Sequence, residues 1–417
     1  MNVGVSPPDH GDRRTVAVVV AVQAAISLGY FAAMTHLVVH LKEDLGLAAG
    51  LIGLVLALRN LVQHTLSLPV GVLVDALNPV RTGILACLLR AAGFALLGTA
   101  SSVPGVVVAA VLLGTGGALF HPAAQSLLAG LSQRRRARGY AAYAMTLQVA
   151  AVLGPALGLA LLKVGYWLVA LTAAGLWVFA AFLFSLVRRV PSTPPGNGAV
   201  PSAPTAGGVV SGVRTVLRDR IFMWFAAVSM PTMLLADQAA VVVPLAGADA
   251  NAVTVFSCVL AMVSAAVQPW CAIAGRGERP GVLRAGMLSA GAGYLLLATG
   301  AGDGTAGLVA VAVLHGLSGG LLQPAVFQTV ARLAPLTRYG AYLGVRAFFS
   351  GLLAFAGGVA VGRLFDWGPH GATTALIALG LVAFTAAAAS YVLPNQKAEF
   401  QANKTPQSET SKSAANR

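Results

Sequence analysis

A chain of 417 residues that is 57% hydrophobic and only 10% charged lies outside the range of soluble domains, where charged residues make up about 25%. With a mean hydropathy of +0.79, this composition excludes a soluble enzyme, a disordered chain and a secreted disulfide scaffold. The charge is lopsided, 27 Lys and Arg against 13 Asp and Glu for a formal +14, and in so apolar a chain that points to loop topology rather than nucleic acid.

The apolar residues form blocks long enough to cross a bilayer, which takes about 20 residues each. In chain order they cover 15–41, 48–74, 82–101, 104–131, 140–163, 166–187, 221–245, 251–274, 282–301, 306–333, 341–362 and 371–393. The first follows Arg13 and Arg14 as a signal peptide would, but it is too long for a signal core and shows no cleavage site, so it reads as a retained helix. Between the sixth and seventh blocks, residues 188–220 are rich in Pro, Gly and Ser and read as a flexible cytoplasmic linker. The spacing therefore predicts an all-α membrane protein of twelve transmembrane helices in two six-helix bundles, 1–187 and 221–393, followed by a disordered cytoplasmic tail at 394–417.

With the N-terminus placed inside, 21 of the 27 basic residues fall in cytoplasmic segments and only Lys42, Lys163 and Arg363 fall outside. The remaining three, Arg59, Arg90 and Arg346, lie within spans. The asymmetry predicts a multi-pass protein of the plasma (inner) membrane with both termini cytoplasmic. Cys87, Cys258 and Cys271 sit inside apolar blocks without disulfide or metal spacing, and no cofactor is expected beyond a proton gradient.

The halves repeat. At an offset of 202, VLLGTGGALFHPA (111–123) matches VLHGLSGGLLQPA (313–325) at seven of thirteen positions. Parallel repeats of this kind enclose a substrate path near the midplane. The Gly-rich run lies inside a span, without a strand or a Lys-Ser/Thr pair, so it reads as a helix-packing surface and not a phosphate loop.

Twelve helices, a central linker and a half-length repeat resemble the major facilitator superfamily, and local motifs add to the likeness. GVLVDALNPVR after the second block is similar to the family pattern G-x-L-x-D-R-x-G-R-[RK]: Gly71, Leu73 and Asp75 match, Ala76, Asn78 and Pro79 depart, and the basic residue arrives late as Arg81. LGPALG in the fifth block resembles the antiporter motif G-P-x-x-G-G through Gly154, Pro155 and Gly158, with Leu159 in place of the last Gly. Leu58-Arg59 in the second block and Gln238-x5-Pro244 in the seventh resemble a multidrug-exporter subgroup. The resemblance implies drug:proton antiport by alternating access, with Gly71, Asp75, Arg81, Gly154, Pro155 and Gly158 as conformational motifs.

An ionisable residue inside a membrane costs about 2.5–3.5 kcal/mol on insertion scales, so each needs a reason. Asp237 is the only carboxylate placed within a span, about 24 Å along the seventh at 1.5 Å per residue. It heads the candidates for proton coupling, with Asp75, His64 and His315 as further titratable groups. Arg59 is a candidate for substrate contact or coupling, Arg90 reads as structural, and Arg346 as a residue that snorkels to the surface. His36 and His40 read as interfacial, and His121 as a hydrogen-bonded structural residue. The first span carries no acid, which favours neutral or weakly anionic substrates. Gln23, Tyr30, Gln148, Gln238 and Gln323 join Arg59 as candidate cavity contacts, with Phe31, Trp224 and Phe348 as stacking surfaces.

These readings converge on a monomeric secondary transporter in the lipid bilayer, exporting small amphipathic compounds by proton antiport. The alternative within the same fold is a proton-coupled importer of a nutrient or organic anion. An enzyme is not expected, because no intramembrane cluster with spacing such as HExxH occurs, and the scattered basic residues give no nucleic-acid surface.

Overall fold

The computed structural model describes residues 10–76, 79–129, 133–186, 213–272, 276, 279–335 and 339–392. No β-strand occurs among them, and 12 helical segments are long and apolar enough to cross a membrane. The N-terminal half holds α1 (His10–Val39), α2 (Ala49–Ala76), α3 (Pro79–Thr99), α4 (Val103–Ala129), α5 (Gln133–Leu162) and α6 (Tyr166–Ser185). The C-terminal half holds α7 (Arg220–Ser229), α8 (Pro231–Leu245), α9 (Ala250–Ala272), α10 (Pro280–Ala298), α11 (Thr305–Leu333), α12 (Tyr339–Phe365) and α13 (Gly368–Ala389). α7 and α8 together make the seventh span, Arg220–Leu245.

Two features differ from the sequence expectation. Residues 213–218, assigned to the linker, are helical, and Val216 among them is buried against the C-terminal half. Asp219 then caps α7 by accepting from the Phe222 N–H at 3.0 Å. The rest of the expected linker, 188–212, lies outside the described residues, as does the 394–417 tail. The seventh span is also not continuous: Pro231 has no N–H to give the preceding turn, and the helix restarts there with Pro in its first turn.

Alternate spans run in opposite directions, so the connections fall at two ends. The near end carries the start of α1 and the finish of α13, and the far end carries 40–48, 163–165, 246–249, 299–304 and 366–367. Far-end turns are tight, and Gly46, Gly165, Gly247, Gly300 and Gly368 all take positive φ there.

Helices in lipid gain little from hydrophobic exclusion and depend on close packing. The repeated Gly-rich run shows this in both halves. A methyl on Gly114 of α4 would come within 2.6 Å of the Arg59 carbonyl oxygen on α2, and one on Gly316 of α11 within 2.8 Å of the Leu260 oxygen on α9. The fourth span thus beds on the second as the tenth beds on the eighth. Buried aromatics fill both halves: Phe94, Phe120, Trp177 and Phe184 in the N-terminal core, and Phe222, Phe225, Phe256 and Tyr294 in the C-terminal one.

Candidate functional site

The polar side chains gather where α2 meets the C-terminal half, nearer the far end than the near end. α2 presents Arg59, Asn60, Gln63 and His64 within two turns, α1 adds Tyr30, α3 adds Arg90, and α8 adds Asp237. Arg59 Nη2 donates to Asn60 Oδ1, and Asn60 Nδ2 donates to Asp237 Oδ2 at 2.7 Å. Asparagine can accept and donate at once, so one amide relays between a guanidinium and a carboxylate that do not touch. Asn60 belongs to the N-terminal half and Asp237 to the C-terminal half, so this chain of bonds crosses the boundary between them. Arg59 Nη1 also donates to the Tyr30 hydroxyl at 3.1 Å, which fixes the guanidinium from the other side.

Arg90 has a different environment. It is 6% exposed, its guanidinium carbon lies 5.5 Å from the Tyr30 ring centroid and 5.0 Å from that of Trp177, and Nη2 donates to Gln63 Oε1 at 3.1 Å. Two aromatic faces and an amide oxygen stabilise a charge that has no carboxylate partner among the described residues. The glycine run on α4 makes the space: a methyl on Gly117 would lie 2.2 Å from Arg90 Nη2 and 2.3 Å from Gln63 Oε1. The structural reading of Arg90 is supported by this packing.

Arg346 is half-buried. It turns to the break in the seventh span, where Nε donates to Ser229 Oγ at 3.2 Å and Nη2 to Thr232 Oγ1 at 2.9 Å and to the Ser229 carbonyl at 3.4 Å. A planar fork of donors suits the carbonyl and hydroxyls that the interrupted helix leaves there. These partners hold the guanidinium against the seventh span, a role the snorkelling expectation did not include.

Other predicted residues separate into groups. His64 is half-buried beside Gly351 of α12. His315 is buried within an aromatic pocket, 4.5 Å from the Tyr294 ring centroid and 6.2 Å from that of Phe256. The side chain bonded to Asp237 is Asn60. Gln23 is buried and bonds within its own helix, Nε2 to Ser27 Oγ at 2.8 Å, and Gln238 is buried toward Gly358 of α12. Gln148 is half-buried and Gln323 exposed. Arg81 is exposed at the start of α3, and the side chains at Gly71, Asp75 and His121 lie outside the described residues.

The Gly154-Pro155-Gly158 run lies on α5 against α1. A methyl on Gly154 would come within 2.5 Å of Phe31 Cβ, and one on Gly158 within 2.4 Å of the Ala32 oxygen. His36 is fully buried, not interfacial, and its Nε2 pairs with the Pro155 carbonyl at 3.1 Å. Among the described residues no group of three or more His, Cys, Asp or Glu has metal-binding proximity. Sequence reasoning missed Asn60, although an asparagine inside an apolar block beside an arginine is itself a signal.

Comparison with known proteins agrees with this architecture. The family profile described as Major Facilitator Superfamily matches residues 19–276. An uncharacterised MFS-type transporter of Mycobacterium tuberculosis is 32% identical over 235 residues, covering 56% of this chain and 54% of that protein. The multidrug resistance protein MdtH of Aeromonas hydrophila is 37% identical over 163 residues, covering 39% of this chain and 41% of that protein. The chain thus spans about half or less of the length of the curated relatives it matches. Among solved structures, a POT family transporter in complex with 5-aminolevulinic acid has a TM-score of 0.73 at 15% identity, covering 91% of this chain and 96% of that one. The nucleoside transporter NupG has a TM-score of 0.74 at 11% identity, covering 91% and 99%. At such identities these two share the fold alone. The family profile and the twelve-span architecture together place the chain in the Major Facilitator Superfamily, as a multi-pass membrane protein.

Proposed function

We propose that this protein exports small amphipathic compounds by proton antiport, with Asp237 as the proton-carrying group. The observation that carries this reading is the Arg59–Asn60–Asp237 chain across the two halves. An ionised Asp237 accepts from Asn60 and balances Arg59. Protonation removes that balance, weakens the bond across the halves and leaves Arg59 free for substrate. Proton binding and the relation between the halves are thereby coupled through one amide. The likeness to MdtH supports efflux as the direction, and the antiporter-like run on α5 supports exchange.

A second reading, proton-coupled import of an organic anion, draws on the excess of Arg59, Arg90 and Arg346 over Asp237 in the spans. One assay separates the two. A susceptibility panel in an efflux-deficient host, with a proton uncoupler as control, identifies a transported compound. Its uptake into everted vesicles on energisation is expected for export, and uptake into right-side-out vesicles would reverse the reading. Asp237→Asn is expected to abolish energised transport, and full proton-driven transport by that variant would refute the assignment.

A further inference from the structure

The two halves meet at the far end through helix termini that each receive a charged side chain from the opposite half. α2 opens after Gly46, Leu47 and Ala48, none of which has a side-chain acceptor for the orphan N–H groups of a first helical turn. The acceptor comes from the other half. Both carboxylate oxygens of Asp366, just beyond α12, accept from the Gly50 N–H at 3.1 Å. The exchange also runs the other way: the Pro244 and Leu245 carbonyls ending α8 accept from Lys42 Nζ at 3.3 and 3.0 Å. Lys42 sits on a π-helical turn (His40–Asp44) at the end of the first span. That turn is held by the His40 Nδ1–Asp44 Oδ2 pair at 2.6 Å and by stacking of His40 on Tyr166 at 4.1 Å.

A carboxylate thus meets the positive end of one helix and an ammonium the negative end of another, each supplied by the opposite half. Beneath them α2 and α12 touch backbone to backbone. A methyl on Gly53 would come within 2.7 Å of the Gly358 oxygen, and one on Gly362 within 2.6 Å of the Ala49 oxygen. The glycines permit the closure, and the two charges fasten its tip.

We infer that Lys42 and Asp366 are gating residues, a reciprocal pair of helix-end latches that holds the far end shut and releases in each transport cycle. Both act by positioning the halves and neither needs to touch substrate. Attraction of a charge to a helix end fades within one turn, so a small rocking of the halves breaks both latches together. The inference goes beyond the proposed function and holds whichever compound is carried.

The test reads conformation without substrate or proton gradient, so its outcome is separate from that of the antiport reading. Spin labels are placed on Ser102→Cys and Thr305→Cys, exposed far-end positions in opposite halves, with Cys87, Cys258 and Cys271 replaced, and distances are measured by pulsed electron resonance in nanodiscs. The parent protein is expected to give a short far-end distance. Lys42→Gln combined with Asp366→Asn is expected to raise the separated population about tenfold, while Lys42→Arg and Asp366→Glu keep the short distance. An unchanged distribution in a double variant that elutes and melts like the parent overturns the inference. If the double variant does not fold, the single variants decide: each is expected to shift the distribution several-fold in the same direction, and no shift in either overturns it.

Discussion

The two halves share one architecture and divide the charge unequally. Gly117 and Gly319 occupy equivalent positions in the repeat. In the N-terminal half Gly117 opens space for Arg90 and Gln63, whereas Gly319 meets only Ser264 Oγ, at 3.5 Å from where a methyl would lie. The N-terminal half holds two guanidiniums, Arg59 and Arg90, around Tyr30. The C-terminal half holds one carboxylate, Asp237, which bonds across the boundary, and one guanidinium, Arg346, held at the break in the seventh span. A duplicated fold supplies the frame, and each half adds its own charged side chains to it. Neither half contains the complete Arg59–Asn60–Asp237 chain, so that chain reports on how the halves are arranged.

The largest predicted effect breaks this asymmetry from the C-terminal side. Asp237→Asn is expected to lower proton-driven transport at least tenfold, about 1.4 kcal/mol or more of coupling, measured as initial rates in proteoliposomes with an imposed pH gradient. Asp237→Glu should restore part of the rate. Next comes Asn60→Leu, which removes the relay from the N-terminal side. Interhelical hydrogen bonds in membranes contribute about 0.6 kcal/mol each, and Asn60 makes one of them, to Asp237, so its loss predicts a fall of about threefold in the same assay. The repeat then offers a matched pair for stability. Gly117→Ala forces a methyl into Arg90 and Gln63 and should cost about 1–3 kcal/mol, read as a lower thermal midpoint in detergent. Gly319→Ala at the equivalent site should leave that midpoint nearly unchanged, and equal effects would erase the contrast between the halves. The smallest effect is expected at His315: with its ring enclosed by Tyr294 and Phe256, His315→Leu should keep proton-coupled transport within about twofold of the parent.

The fold was legible because hydropathy is a local property. Each span announces itself in its own residues, and the 202-residue offset exposes the duplication without reference to tertiary contacts. Asp237 and Arg59 were legible for the related reason that charge in an apolar block is costly and therefore conspicuous. Their linkage was not, because Asn60 and Asp237 are 177 residues apart and meet only when the halves close. The internal bond of Gln23 was readable in the sequence, because Ser27 four positions on lies on the same helix face. The break in the seventh span was readable in principle from Ser229-Met230-Pro231-Thr232, since proline ends one helix and starts another. That Arg346 from α12 would occupy the break depended on packing no local pattern encodes. Asp366 escaped notice for a similar reason: in the sequence it is a loop carboxylate, and only the folded chain brings it to a helix start without a cap of its own.

The central claim is that one carboxylate at the junction of the halves links proton movement to substrate movement. The most direct measurement is substrate-driven proton flux in proteoliposomes, followed with an internal pH dye, for the parent and Asp237→Asn, alongside substrate exchange at equal pH. The account predicts proton flux opposite to the substrate gradient in the parent. In Asp237→Asn it predicts no such flux, with substrate exchange retained. Undiminished substrate-driven proton flux in Asp237→Asn would contradict it.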